Sequence, residues 1–490
     1  MIIKKQILIL FLGLYTGSFA VLGDGAEGYV EVAKDGLYKP QVNLLSGLVE
    51  AVAPSVVNIY ASKVVKQRVV SPFLGAFGGM EQFLFGMPVE RIQKSLGSGV
   101  IIRPNGLIVT NTHVIEGAQE IKVVLNDNRE FKAKIVMSDK KADLALLKIE
   151  GGSEVFHAAE IRDADELKIG DDVFAIGNPY GIGQSVSKGI VSATARNIGG
   201  SKDYRSYIQT DAAVNSGNSG GGLFSIEQSA TGEFRARLVG VTTAIISKDG
   251  GFQGMSLAIN SNMLKPLLAS YDKGAKTIQK AWLGMGVQSV DSTMASSLGL
   301  LKPMGVLVTG VYPKSPADLA GLKVGDLITH INEKPIKNDE NFHFRLSTFV
   351  DSETLTLSYV RAKAKTDVKI KLGVPPETPP RNATSLDGKN ALGGATIVNL
   401  SPALANEFSI DPMRQGVMIL EIKRNSYAHV LGFLPGDIIL RVNDVEMTLV
   451  QDLVDLFKKP LSGMVVEFKR DSKTLVLTIL TNGQVSLREK

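Results

Sequence analysis

From about Leu45 to Lys280 the chain alternates short apolar runs with glycine-rich turns. Ser55–Tyr60, Gly99–Ile102, Ile121–Leu125 and Val173–Gly177 are runs of this kind, rich in valine and isoleucine. Many short strands closed by turn signals predict β-barrels or sandwiches, not a parallel α/β sheet. One segment breaks the rhythm. From about Ser62 to Leu96 no regular period survives, and Phe73, Phe77, Phe83 and Phe85 stand among glycines. A long loop is expected there, and so many aromatics on it need burial somewhere. A local mini-core would serve, but contact with another subunit or a gating role is favoured.

The C-terminal third repeats itself. Gly305–Asn332 aligns without gaps on Gly416–Asn443, and nine positions coincide, among them Ser315/Ser426, Gly321/Gly432, Gly325/Gly436 and Asp326/Asp437. Two copies this far apart predict two small domains and not a solenoid, whose units would be shorter and more numerous. Each copy reads as strand, short helix (Pro316–Leu319 or Tyr427–Val430), a Gly-x-x-x-Gly-Asp turn, then strand. The Pro375–Pro380 stretch between them predicts a stiff, extended linker.

At 490 residues the chain is too long for one core, and about three domains are expected. A net charge of +5 with interleaved signs argues against nucleic-acid binding and allows at most peripheral membrane contact. The first residues read as an export signal: Lys4 and Lys5, an apolar run over Ile7–Tyr15, then Ser18-Phe19-Ala20. Cleavage after Ala20 is expected, with a retained N-terminal anchor as the alternative. The absence of cysteine excludes disulfides, thiol catalysis and thiolate metal sites. No metal and no cofactor is expected.

The chemistry concentrates in Gly217-Asn218-Ser219-Gly220-Gly221, a serine wrapped in glycines. A serine hydroxyl is a weak nucleophile until a neighbouring base takes its proton. Of the five histidines only His113 follows a hydrophobic strand, Leu107–Thr110, where a rigid element would hold it. His157, His330, His343 and His429 lack such a setting and read as surface or packing residues. Asp143, opening Ala142-Asp143-Leu144-Ala145, is the candidate orienting acid. Histidine, aspartate, serine is the chymotrypsin-type chain order. The expected roles are nucleophile for Ser219, base for His113 and orienting carboxylate for Asp143. The N–H groups of Gly217 and Ser219 are the expected oxyanion donors.

These motifs, with Thr110–Ile115, Gly177-Asn178-Pro179 and Ile208–Ala213, resemble the HtrA (Deg) family of periplasmic serine protease-chaperones in its two-PDZ form. The resemblance covers essentially the whole mature length. It implies a mainly β chain: a chymotrypsin-like double β-barrel protease domain followed by two PDZ domains. The implied layout is a signal peptide over 1–20 and an N-terminal segment over 21–44. The protease domain then spans 45–280 with a regulatory loop at about 62–96. The first PDZ domain covers 281–373, a Pro-rich linker 374–388 and the second PDZ domain 389–487. The triad would lie in the cleft between the barrels.

By the same resemblance Met255, Ser256 and Leu257 pair with substrate backbone. Ile245 and Leu257 help line an apolar specificity pocket for small or medium aliphatic side chains. Trp282, Leu283, Gly284 and Met285 stand where the first PDZ domain holds a ligand carboxylate, and Leu392–Ala395 where the second does. The first copy is the better candidate for peptide capture. The implied assembly is a homo-oligomer, a trimer or a multiple of one. The chain departs from the family at Ser216 (usually proline), Thr242 (usually asparagine), Ser256 (usually glycine) and Asn260 (usually proline).

The expected function is an ATP-independent endopeptidase of the periplasm that degrades misfolded or unfolded envelope proteins, with chaperone activity. Two alternatives stand beside it. One is a chaperone or scaffold with minor proteolysis; the other is a PDZ-triggered regulatory protease with one signalling substrate.

Overall fold

The computed structural model describes residues 44–490 apart from 69–87, 152–153, 180–182, 197–205, 246–253, 276, 279, 389, 409, 412, 459–462 and 472. The expected signal peptide therefore lies outside the described residues. So do Phe73, Phe77, Phe83 and Phe85.

A nine-residue helix, α1 (Leu44–Val52), leads into the first barrel. Its strands are β1 (Val56–Arg68), β2 (Pro88–Arg103), β3 (Leu107–Thr110), β4 (Glu120–Val124), β5 (Glu130–Asp139) and β6 (Leu144–Ile149), with the short helix α2 (Thr112–Ile115) after β3. They close in the order β1-β2-β3-β6-β5-β4. The second barrel uses β7 (Asp172–Gly177), β8 (Ser185–Arg196), β9 (Tyr207–Thr210), β10 (Gly222–Gln228), β11 (Phe234–Ile245) and β12 (Ser256–Asn260). Its closed order is β10-β11-β12-β9-β8-β7.

The unbroken apolar runs follow from this architecture. Successive side chains on a strand face opposite sides of the sheet. In β3, Ile108 faces the interior of the first barrel, while Leu107 and Val109 enter a core shared by both barrels. In β7, Val173 and Ala175 fill the second barrel, and Phe174 and Ile176 join the shared core. Phe174 stacks on Phe224 at 5.5 Å between ring centroids, both fully buried. Each such ring contributes about 1.5–3 kcal/mol by leaving water. The two barrels are thus one packed body.

Of the segment expected to be a loop from 62 to 96, residues 62–68 and 88–96 are strand. The β1–β2 pairing runs antiparallel as far as Arg68↔Pro88, so a paired ribbon extends the barrel, and residues 69–87 lie outside the described residues.

Helix α3 (Leu264–Asp272) closes the protease body. The first C-terminal unit contains β13 (Met285–Ser289), α4 (Ser292–Ser297), β14 (Val306–Val311), α5 (Pro316–Leu319), β15 (Leu327–Ile331), β16 (Lys334–Pro335), α6 (Asp339–Ser347), β17 (Thr354–Arg361) and β18 (Ala364–Lys371). The second contains β19 (Thr384–Ser385), β20 (Ala395–Asn399), α7 (Pro402–Glu407), β21 (Val417–Ile422), α8 (Tyr427–Val430), β22 (Ile438–Val442), β23 (Val445–Glu446), α9 (Val450–Phe457), β24 (Met464–Arg470), β25 (Lys473–Ile479) and β26 (Val485–Glu489). Helices α5 and α8 occupy the residues predicted for them.

The repeated positions have repeated jobs. Ser315 and Ser426 cap α5 and α8 through their hydroxyls. Gly284 and Gly394 have φ near +77° and +87°, and a Cβ on either would sit 2.2 Å from the capping serine's Cβ. Asp326 and Asp437, each 1 % exposed, take two-pronged bonds from Arg361 and Arg470. Those arginines also donate to the Gly321 and Gly432 carbonyls. The Gly-x-x-x-Gly-Asp turn is therefore an arginine anchor.

The first unit docks on the protease body. Phe344 of α6 enters the core shared by the barrels, and Arg345 and Lys334 both reach Asp165.

Candidate active site

His113 sits in α2, directly after the buried strand β3, and Asp143 stands just before β6. Asp143 has φ +53°, an uncommon conformation for a residue with a side chain. The turn before His113 holds it there. The Asp143 carbonyl accepts from the Asn111 side chain at 3.0 Å and the Thr112 N–H at 3.3 Å. Its carboxylate faces the histidine twice: Oδ1 accepts from the His113 N–H at 3.0 Å, and Oδ2 lies 2.8 Å from the ring Nδ1. Thr243 Oγ1 donates to the same Oδ2 at 3.1 Å. Burial pushes the Asp143 carboxyl up, but the bonds from the His113 ring and N–H and from Thr243 outweigh it. The group stays below its ordinary 3.8.

Ser219 enters from the second barrel. Its Oγ donates to the Thr243 carbonyl at 3.1 Å and not to His113. Thr243 thus touches both ends of the predicted triad, through its hydroxyl at Asp143 and its carbonyl at Ser219. Nothing in the local sequence marks it; a register shift in the β11–β12 pairing between Thr242 and Ala244 puts it there.

The glycines of the serine loop are required by contact. Gly220 has φ +87°, and a Cβ there would lie 2.1 Å from the Ser98 carbonyl oxygen and 2.3 Å from Thr110 Oγ1. Gly217 has φ +98°. Among the described residues, no carbonyl accepts from the N–H of Gly217 or Ser219, the two predicted oxyanion donors.

The predicted substrate strand is β12. Ser256 pairs with Ile245 on one side and Thr210 on the other, and its buried hydroxyl has no hydrogen-bond partner among the described residues. Leu257, expected on the pocket wall, is 4 % exposed and packs in the core shared by the barrels. Met255 is half-buried at the strand's start, and the Ile245 side chain lies outside the described residues. Asn260 caps the next turn, its Oδ1 accepting from the Asn262 N–H at 2.9 Å.

Two recesses flank these residues. One of about 150 Å³ opens beside His113 and includes Ala61, Lys63, Ser95, Val114 and Glu116. The other, about 110 Å³, lies between the protease body and both C-terminal units. It brings Trp282, Leu283, Gly284 and Met285 together with His343 and Leu346 of α6, and with Lys141 and Lys280. Lys280 pairs with Asp139 at 2.6 Å, while Asp139 Oδ1 accepts from the N–H groups of Lys141 and Ala142. This loop runs directly into Asp143. Burial, with Lys280 close by, pushes the Lys141 ammonium down to about 8.

Residues 97–232 match the trypsin-like peptidase domain family, and residues 282–372 the PDZ domain family. The chain is 34% identical over 472 residues to a probable periplasmic serine protease do/HhoA-like of Haemophilus influenzae, covering 94% of this chain and 97% of that protein. It is 36% identical over 438 residues to a probable periplasmic serine endoprotease DegP-like of Marinomonas sp., covering 86% and 90%. A variant of the HtrA-type protease AlgW, solved with a decapeptide, matches at TM-score 0.50 and 35% identity, covering 69% of this chain and 99% of that one. With a double-barrel peptidase fold, a PDZ domain behind it and relatives matched along nearly their full length, the chain belongs to the HtrA/DegP-like family of periplasmic serine endopeptidases.

Proposed function

We propose that Ser219, His113 and Asp143 form the catalytic triad of an ATP-independent endopeptidase that degrades unfolded envelope proteins. The observation that carries this reading is the convergence on Thr243, which binds the Asp143 carboxylate and the Ser219 hydroxyl at once. Ser219 turns from the Thr243 carbonyl toward His113 when substrate binds. It then attacks the peptide carbonyl while His113 accepts its proton and later returns it to the leaving amine. Asp143 holds the ring with Nδ1 protonated, which keeps the other nitrogen available as base. The N–H groups of Gly217 and Ser219 take the oxyanion.

The residues before the cut run along β12, past Met255 and Ser256, toward an apolar pocket that includes Ile245 and selects small or medium aliphatic side chains. One methylene in such a pocket is worth only about 1–3 kcal/mol, so selection is broad. The leaving half passes over the recess beside His113. The loop at Trp282–Met285 takes peptide C-termini by strand addition, while the loop at Leu392–Ala395 serves assembly more than capture. The mature protein is released by cleavage after Ala20, assembles as a trimer or a multiple of one, and also restrains aggregation.

Fluorophosphonate labelling of the mature protein, with and without unfolded casein, tests the reading. Labelling that requires Ser219 and rises with casein is expected. A folded protein that never labels would leave the chaperone or scaffold reading in its place.

One observation favours PDZ-linked control of the same triad. The recess at Trp282–Met285 includes Lys141, two residues from Asp143. A ligand carboxylate held there would draw on Lys141 and Lys280 and shift the loop that positions Asp143. A C-terminal peptide added in trans should then raise kcat on a substrate that does not occupy the PDZ unit; an unchanged kcat with the peptide bound would sink this control.

A further inference from the structure

We propose that Thr242 is a positioning residue of the oxyanion site: its hydroxyl, by holding the Asn218 carbonyl, fixes the peptide whose N–H belongs to Ser219. The inference rests on the serine-protease reading above and concerns how this chain keeps that site in shape.

A trans peptide is planar, with its C=O and N–H pointing in opposite directions. Whatever fixes the Asn218 carbonyl therefore also aims the Ser219 N–H. That carbonyl accepts two bonds, from Thr242 Oγ1 at 2.6 Å and from the Gly221 N–H at 2.9 Å. Both donors lie on the carbonyl side of the peptide. The Ser219 N–H points the other way, where no described carbonyl accepts it.

The two bonds differ in what they can hold. The Gly221 bond closes a turn within the loop itself, so it moves with the loop. Thr242 belongs to β11, between the register pairs Val241↔Ile259 and Ile245↔Ser256, and is 1 % exposed. It also grips the loop with its backbone: its carbonyl accepts from the Gly220 N–H at 2.7 Å, and its N–H donates to the Gly221 carbonyl at 2.9 Å. Only the hydroxyl reaches the peptide that carries the oxyanion donor.

The preceding peptide is treated the same way from the other barrel. Ser98 Oγ, fully buried, donates to the Gly217 carbonyl at 2.8 Å and accepts from the Asn178 N–H at 2.9 Å. Consecutive carbonyls are thus tied back by hydroxyls from opposite barrels. Adjacent side chains of β11 divide the work, Thr242 serving the oxyanion loop and Thr243 serving Asp143 and Ser219.

Losing an oxyanion donor outright costs about 10²–10³ in kcat, so mis-aiming one is expected to cost about 10–100-fold. The loss falls on kcat with KM within about threefold, because the bond is made only in the transition state.

The test compares wild type, Thr242→Val and Thr242→Ser on one peptide substrate and one peptide aldehyde, which forms a tetrahedral oxyanion on Ser219. Valine keeps the shape and deletes the hydroxyl; serine keeps the hydroxyl and deletes the methyl. The expected result is a 10–100-fold fall in kcat for valine, a parallel weakening of the aldehyde, and recovery to within threefold by serine. A valine variant with kcat within twofold of wild type would overturn the proposal. So would a kcat loss that serine does not restore, or a fall in melting temperature with aldehyde affinity unchanged. Should valine fail to fold, serine decides alone, since activity more than tenfold down with the hydroxyl present is incompatible with the role. Failure of the underlying reading looks different: wild type itself would neither turn over the substrate nor bind the aldehyde.

Discussion

Asp143→Asn is the sharpest perturbation of the proposed triad, because it changes one atom and leaves the shape. The wild-type carboxylate accepts three bonds, from the His113 ring at 2.8 Å, the His113 N–H at 3.0 Å and Thr243 Oγ1 at 3.1 Å. An asparagine has one acceptor oxygen and one donating amide. If the oxygen keeps the His113 N–H, the amide faces Nδ1, which must then accept, and the ring's proton moves to the nitrogen that should take one from Ser219. If the amide flips, two donors oppose each other at the His113 N–H. Either way the base is lost or the turn is strained. The expected fall in kcat is about 10⁴-fold, or roughly 5.4 kcal/mol at 1.36 kcal/mol per decade. Peptide hydrolysis at pH 7.5 by purified wild type and variant, with circular dichroism as a check on folding, measures it. A folded variant within tenfold of wild type would refute the role given to Asp143. The same bonds set an acid limit. Because the folded carboxyl lies below 3.8, its contribution to local stability is complete above that pH and is lost only as pH falls through the lower folded value.

Gly220→Ala is expected to cost about 3 kcal/mol or more in denaturant unfolding, since the new methyl meets the Ser98 carbonyl at 2.1 Å on a left-handed backbone; an alanine variant as stable as wild type would show that the loop has another conformation. Arg470→Met leaves Asp437 buried without its charge partner and is expected to destabilise the second C-terminal unit by about 3 kcal/mol, read as earlier melting of that unit, with the protease body unaffected. Burial, with Lys280 close by, holds Lys141 at about 8 instead of its ordinary 10.5, so keeping it in the recess between the protease body and the C-terminal units costs most below pH 8 and less as pH rises toward 10.5. The radius of gyration from X-ray scattering should therefore shrink over that window in wild type, and Lys141→Met should remove the pH dependence.

The sequence and the structure part company where contact replaces pattern. The barrel strands were legible because Leu107–Thr110 and Val173–Gly177 face apolar surroundings on both sides, and burial on two faces requires an unbroken apolar run. Ser219 and His113 stood out as candidates because glycine crowding around the one and a buried strand before the other are both local. At its two ends, Ser62–Arg68 and Pro88–Leu96, the segment expected to be a loop is strand. Its residues carry no two-residue hydrophobic alternation, and the strands are defined by pairing with each other. Thr243 and Ser98 were invisible for a different reason. Ser98 acts on a carbonyl 119 residues away, and Thr243 meets Asp143 only because β11 shifts register beside it. The sequence flagged Thr242 as a departure from asparagine but gave that departure no physical consequence. Its meaning lies in the peptide it holds. A hydroxyl at 2.6 Å from the Asn218 carbonyl is in place whether or not substrate is present, so the Ser219 half of the proposed oxyanion site would be built into β11. Among the described residues no backbone N–H ties the Ser216 carbonyl, the other end of the peptide that carries the Gly217 N–H, and Ser216 lacks the φ restraint of the family's usual proline. Control over this active site is therefore expected at that peptide, and a φ-restraining Ser216→Pro should raise the casein-free fluorophosphonate labelling rate severalfold, whereas an unchanged rate would place the control elsewhere.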